Sequence, residues 1–305
     1  MTNTLHINSI SDLHASLGLD SPTHPLVSVF KPSQVKQGIQ EDVKICFDLF
    51  LISLKDSAHC TVGYGHTTYD FDKGTMTFMA PGQEVIIKAT EPLEDSLGWT
   101  IAFHPQLITS SDLGSKISEF SFFEYETSEG LHLSERERVM ITDIASSIGN
   151  ETEMNMDKHT QSLICSNIEL LLKYCSRFYD RQFIVRADLN NHYIARFNHF
   201  LDAYYQSDKP FEEGIPTVQY CGKELGLSPY YLSDLLKKET GKNALEHIHL
   251  FLIERAKSQI SETSHSITQI SYELGFEYPQ HFSKLFKAKT GVSPRQYRND
   301  STSTH

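Results

Sequence analysis

Polar side chains recur at helical spacing in two short stretches of this 305-residue chain. In GKELGLSPYYLSDLLKKETG (222–241) they are Tyr230, Tyr231, Ser233, Asp234 and Lys237. In SYELGFEYPQHFSKLFKAKTG (271–291) they are Gln280, His281, Ser283, Lys284 and Lys287. Leu232, Leu235 and Leu236 take the opposite face, as do Phe282, Leu285 and Phe286 in the second stretch. A capped helix with such an exposed polar face fits a DNA major groove, where base edges offer donors and acceptors. A helical repeat that meets only other proteins would also carry this pattern once. Two copies in register argue against that reading.

Other chemistry is sparse. Cys46, Cys60, Cys165, Cys175 and Cys221 are scattered with no CxxC spacing, which argues against a zinc site or a disulfide framework. His247 and His249 are two apart, but on a helix they point to different sides and read as surface residues. No Gly-x-Ser-x-Gly, P-loop or GxGxxG sequence occurs. His104-Pro105 reads as a turn at a strand end. No catalytic residue, metal or cofactor is expected, and the chain is not expected to be an enzyme.

The elements that hold the two polar faces can be read from the same segments. Glu224-Leu225-Gly226 and Glu273-Leu274-Gly275 match, and each glycine suits the positive φ of a tight turn between helices. Gly222 and Ser271 are the small residues at each helix crossing. Ser228-Pro229 supplies an N-cap and a first-turn proline, whereas Glu277 is expected at the cap of the second copy. One helix, about 244–260, joins the two units through Leu245, Ile248, Phe251, Leu252, Ile253, Ala256 and Ile260.

Upstream the pattern differs. Residues 1–25 hold turn formers and are expected to be partly loose. From Val27 to Phe103, short apolar runs (45–54, 74–79, 84–89, 97–103) alternate with turns, the mark of an antiparallel barrel or sandwich. Ser134 with Glu137 forms a capping box that opens a helix. A long amphipathic helix at about 157–183 aligns Leu163, Ile164, Ile168, Leu171, Leu172, Cys175 and Phe178 in one stripe. That stripe is read either as a dimer face or as packing on the barrel. A third helix covers about 187–206, and the stretch 207–216, with two prolines and a glycine, reads as the linker. Cys60, Tyr64, Phe78, Trp99 and Phe103 are read either as an effector pocket at the barrel mouth or as plain core.

Net charge is −12. From residue 211 onward acids and bases balance, so the excess of acid lies entirely upstream. Two parts with different tasks follow, and the second must bind DNA through local clusters rather than bulk attraction. No apolar run reaches the roughly 18 residues of a membrane span, and the start lacks a secretory pattern. A reducing cytoplasm is expected.

Residues 217–298 resemble the DNA-binding domain of AraC-family transcriptional regulators. LSPYYLSDLLKKETGKNALEHIHLFLIERAKSQI (227–260) and ITQISYELGFEYPQHFSKLFKAKTGVSPRQYR (267–298) carry the resemblance. The upstream part is similar in layout to the cupin-like regulatory domains often joined to it. The resemblance implies an α+β chain: a cupin-like regulatory and dimerisation domain over 1–206 (barrel 27–130, helices 131–206), a linker at 207–216, and an all-α domain over 217–305. It implies two recognition helices, with Tyr230, Ser233 and Asp234, then Gln280, His281, Ser283 and Lys284, facing bases. Lys237, Lys238, Lys287 and Arg298 would meet phosphates. Asp234 stands where many relatives have a basic or amide residue, so the first helix is expected to read weakly. A cupin metal needs clustered histidines; His59 and His66 are seven apart and Gln83-Glu84-Val85-Ile86 has none. The implied partners are double-stranded promoter DNA, RNA polymerase, a small-molecule effector and a second copy of the chain, with no membrane. The implied function is regulation of transcription, as activator.

Overall fold

The computed structural model describes residues 4–37, 44–55, 74–86 and 98–302. They form two compact units, Met1–Ile184 and Val185–His305. The fold is α+β; among the described residues, strands are confined to the first unit and the second unit is helical.

Two sheets build the first unit. One has three strands in the order β1 (Thr4–Ile7), β3 (Lys44–Phe47), β6 (Glu84–Ile86). The other has five, in the order β2 (Val27–Phe30), β7 (Trp99–Phe103), β4 (Phe50–Lys55), β5 (Thr75–Met79), β8 (Leu131–His132). Every ladder is antiparallel except β1 with β3. Helix α1 (Ile10–Leu17) and both sheets close one core through Ile7, Ile10, Leu13, Phe30, Ile45, Phe47 and Ala102. A short α2 (Asp112–Lys116) lies between β7 and β8, and α3 (Glu135–Glu153) and α4 (Thr160–Val185) follow β8.

Strand parity decides what each sheet face does. Phe103 pairs with Phe50, Ile101 with Ile52 and Ile52 with Phe78, so these residues share one face with Trp99 and Met76. That face is covered by helices and by the turns before β8. Trp99 Nε1 donates to Thr142 Oγ1 of α3 at 3.2 Å. Cys175 of α4 approaches Met76 through sulfur at 3.8 Å. Phe78 packs on Phe122, Phe123 and Tyr179, and Phe103 stacks on Phe50. Phe78, Trp99 and Phe103 are therefore core, which corrects their reading as an effector pocket; Cys60 and Tyr64, like His59 and His66, lie outside the described residues. The opposite face carries Ala102 and Leu51, then Ser53 and Thr100, whose hydroxyls meet at 3.0 Å.

The α4 stripe is also occupied. Ile164, Ile168, Leu171, Leu172 and Cys175 are buried within the first unit, and only Leu163 of the expected dimer face is exposed. Such a stripe suits packing on a sheet or on a second copy, and sequence cannot rank the two. Asp157 opens α4 by accepting from the backbone of His159 and Thr160, which holds its carboxyl below the usual range. The capping box at Ser134 forms as expected, and Glu137 also pairs with Arg181 of α4 at 3.0 Å.

Residues 4–17 are ordered, contrary to the loose N-terminus expected. Ser9 caps α1 by accepting from Asp12, Gly18 ends it at φ 63°, and Ile7, Ile10 and Leu13 fill the core. The turn formers at 21–25 outweighed this short capped pattern in the sequence.

In the second unit, α5 (Ala187–Gln206) and α6 (Lys209–Glu213) precede α7 (Val218–Leu225), α8 (Pro229–Thr240), α9 (Ala244–Glu262), α10 (Ile267–Glu273), α11 (Pro279–Thr290) and α12 (Pro294–Thr302). The division at residues 184 and 185 differs from the linker expected at 207–216. Helix α5 buries Phe197, Leu201, Tyr204 and Tyr205. Its Tyr205 packs on Phe251, and Arg255 donates to Tyr205 O at 2.5 Å. The stretch after α5 is tied down: Tyr204 Oη donates to Gly214 O at 2.8 Å. Gly214 takes φ 81°, ψ −154° and lies backbone to backbone with Gly275. Proline and glycine here make a close-packed turn rather than a hinge.

Candidate nucleic-acid interface

Each polar face is held by a helix-turn-helix built from local rules. In the first, Thr217 caps α7 and Gly226 ends it at φ 72°. Leu227 N then donates to Gly222 O at 2.9 Å. A Cβ at Gly222 would lie 2.6 Å from Leu227 O, so no larger residue fits this crossing. Ser228 caps α8 by accepting from Tyr231 N at 3.1 Å, with Pro229 in the first turn. A cap of this kind contributes about 1 kcal/mol.

The second helix-turn-helix repeats the design with one change. Ser266 caps α10, Gly275 turns at φ 85°, and Phe276 N donates to Ser271 O at 3.0 Å. The cap position of α11 is Tyr278, not Glu277, and it makes no side-chain cap bond. The extra residue of the second copy shifts the register by one, which sequence alignment placed on the wrong residue. Glu277 instead bonds Tyr278 and pushes its phenol pKa up.

Both helices end alike. Gly241 and Gly291 take left-handed φ of 78° and 85°. Thr240 Oγ1 donates to Leu236 O at 2.7 Å, and Thr290 Oγ1 to Phe286 O at 2.8 Å. Leu232, Leu235 and Leu236 of α8, and Phe282 and Phe286 of α11, are buried. Helix α9 opens with an Asn243–Glu246 capping box and buries Ile248, Leu252, Ile253, Ala256 and Ile260 among the helices around it.

Most of the expected contact residues reach solvent. Tyr230, Lys237 and Lys238 are exposed on α8, with Ser233 and Asp234 half-buried. Gln280, His281, Lys284 and Lys287 are exposed on α11, with Ser283 half-buried. Two expectations need correction. Tyr231 is only 5% exposed and belongs to the core. Arg298 is half-buried, and its Nε donates to Ile260 O at 3.3 Å, tying α12 to the end of α9. Lys289 and Arg295, on either side of the Thr290-Gly291 turn, are exposed as well.

The His-x-His pair is half-buried rather than fully exposed. His247 Nε2 meets Thr240 Oγ1 at 2.7 Å, and burial pushes the pKa of both His247 and His249 down. Among the described residues, no group of three His, Cys, Asp or Glu side chains could hold a metal ion.

Comparison with known proteins bears on this site. A family profile described as a helix-turn-helix domain matches residues 221–300, a span that starts within α7 and holds all of α8, α9, α10 and α11. The second unit contains a helix-turn-helix domain. The uncharacterised HTH-type transcriptional regulator YobQ of Bacillus subtilis (strain 168) is 38% identical over 71 residues, 23% of this chain and 30% of that protein. The HTH-type transcriptional activator RhaS of Salmonella arizonae is 32% identical over 76 residues, 25% of this chain and 27% of that one. The match thus spans less than a third of these two relatives. Among solved structures, the C-terminal domain of AraT, a response regulator from Geobacillus stearothermophilus, is 26% identical, covering 35% of this chain and 84% of its own, with TM-score 0.32. ToxT from Vibrio cholerae is 14% identical, covering 89% of this chain and 97% of its own, with TM-score 0.28. Helices α8 and α11 are the second helices of the two helix-turn-helix units.

Proposed function

We propose that this chain is a sequence-specific DNA-binding regulator of transcription. The observation that carries the reading is the pair of in-register helix-turn-helix units on α9, each showing an exposed polar face. Two recognition helices on one DNA face would enter major-groove segments about one turn, or roughly 34 Å, apart. Gln280 suits adenine and Lys284 suits guanine, while Lys237, Lys238 and Lys287 suit phosphates. Attraction is local, because acids and bases balance from residue 211 onward.

Control through the first unit is part of the same proposal. A small-molecule effector would act by binding two arrangements of the protein with different affinity. The polar strip of Ser53 and Thr100 supports a ligand on that sheet face better than the buried aromatic residues do. Self-association would use what α4 leaves exposed, Leu163 and Leu170. Action as an activator, with RNA polymerase as partner in the cytoplasm, completes the reading. No helix among the described residues is long and apolar enough to cross a membrane.

The test is selection of genomic DNA fragments by the purified protein, followed by salt titration on the selected site. An enriched motif that the Gln280→Ala, Lys284→Ala double variant loses supports the reading. Equal binding to all fragments, or none at any salt, overturns it.

A further inference from the structure

We propose that the two recognition helices read DNA unequally: α11 specifies its half of the site, whereas α8 binds the other half with little base preference because Asp234 opposes binding there. The inference rests on the DNA-binding reading above. Pro229 corresponds to Pro279 and Gly241 to Gly291 with nothing inserted between, so the helices compare position by position.

In the first turn, α11 presents both Gln280 and His281 to solvent. Helix α8 presents Tyr230 alone, since its next residue, Tyr231, is buried. A glutamine amide donates and accepts together, so it grips one adenine edge with two bonds; a phenol has a single oxygen. Ser233 and Ser283 match and are both half-buried, so they favour neither helix.

The next position reverses charge: Asp234 stands opposite exposed Lys284. An ammonium donates to guanine and is drawn toward phosphate. A carboxylate only accepts, and the phosphate field repels it whatever base lies beneath. Charge reverses again near the helix end, where Glu239 matches Lys289. Glu239 is held by Asn190, whose Nδ2 donates to it at 2.7 Å. Lys237 and Lys238 thus share α8 with two acids. Lys284, Lys287 and Lys289 have no acid beside them on α11.

An asymmetric operator follows, with one informative half and one nearly flat half. Asp234 lowers affinity for every sequence instead of selecting one. The experiment is selection from random duplexes by the full-length protein, its Lys284→Ala variant and its Asp234→Ala variant, with winners titrated by fluorescence anisotropy. The wild type is expected to enrich a motif confined to one half. Lys284→Ala should flatten that half and weaken the best duplex about tenfold or more. Asp234→Ala should tighten selected and unselected duplexes alike, severalfold, and leave the motif unchanged; Asp234→Ser should do the same. Two equally informative halves would overturn the inference and leave the regulator reading intact. So would weaker binding, or loss of part of the motif, in both Asp234 variants. No enrichment by the wild type would remove both.

Discussion

Asn190 Nδ2 donates to Glu239 Oε1 across 2.7 Å, linking α5 to the last turn of the first recognition helix. Asn190 is only 2% exposed and Glu239 is half-buried, so the bond is partly shielded from water. It shows why α5 belongs with the helices that follow it. Asn190→Ala removes a donor from a charged acceptor, which costs about 1–3 kcal/mol. Urea unfolding of the full chain, followed through the transition of the second unit, should report that loss; an unchanged midpoint would refute the assignment.

The approach of Gly275 to Gly214 gives a harsher test. A Cβ on Gly275 would lie 2.7 Å from Gly214 C and 2.9 Å from Pro210 O, at a φ of 85°. Gly275→Ala combines a backbone clash with left-handed strain, so it should cost more than about 2 kcal/mol. Gly241→Ala is the control: it shares the positive φ but meets nothing within 4 Å. Its cost should stay near 1 kcal/mol. Equal thermal shifts for the two variants would show that the close approach contributes nothing.

Phosphate contacts leave a salt signature. Each released contact changes the slope of log affinity against log salt by about 0.9. Lys237→Ala and Lys287→Ala should each lower the slope by about that amount and weaken all duplexes alike. An unchanged slope would place these ammonium groups away from the backbone.

Buried His24 and half-buried His247 and His249 set a pH window. Burial pushes His24, His247 and His249 below the ordinary histidine value of 6.5. The folded chain therefore prefers them neutral, while the unfolded chain takes up protons first. Their contribution is fully present above about pH 6.5 and is lost as pH falls through the folded values. The melting temperature should drop between pH 7.5 and 5.5, and His247→Gln should remove part of that drop. A melting temperature that is flat across this window would refute the account.

The helix-turn-helix units were legible because local chemistry fixes them. Gly226 and Gly275 mark the turns, Ser228 marks a cap, and apolar residues repeat at helical period. The length of the second turn was not legible, because Glu277 and Tyr278 compete for one cap position and neither is a strong cap. Side-chain roles in the first unit were less accessible. Alternation along β5 and β7 places Phe78 and Thr77 on opposite faces, but only the position of α3 and α4 tells which face is covered. The same holds for α5, whose apolar residues show that it packs without showing on what. Among the DNA-contact candidates, the residues facing solvent were largely anticipated. Tyr231 and Arg298 were misread because a polar atom on a large side chain does not reveal where the rest of that side chain lies.

Helix α9 acts as the spindle on which both recognition helices turn together. Its buried residues Ile248, Leu252, Ile253, Ala256 and Ile260 lock its rotation against the surrounding helices. One residue inserted at its middle would swing one reader about 100° around the axis relative to the other. Exchanging side chains on α8 or α11 changes which bases are preferred and leaves this phase untouched. The molecule can thus acquire new vocabulary freely, while its punctuation, the interval between the two words, is fixed by a helix that need touch no base.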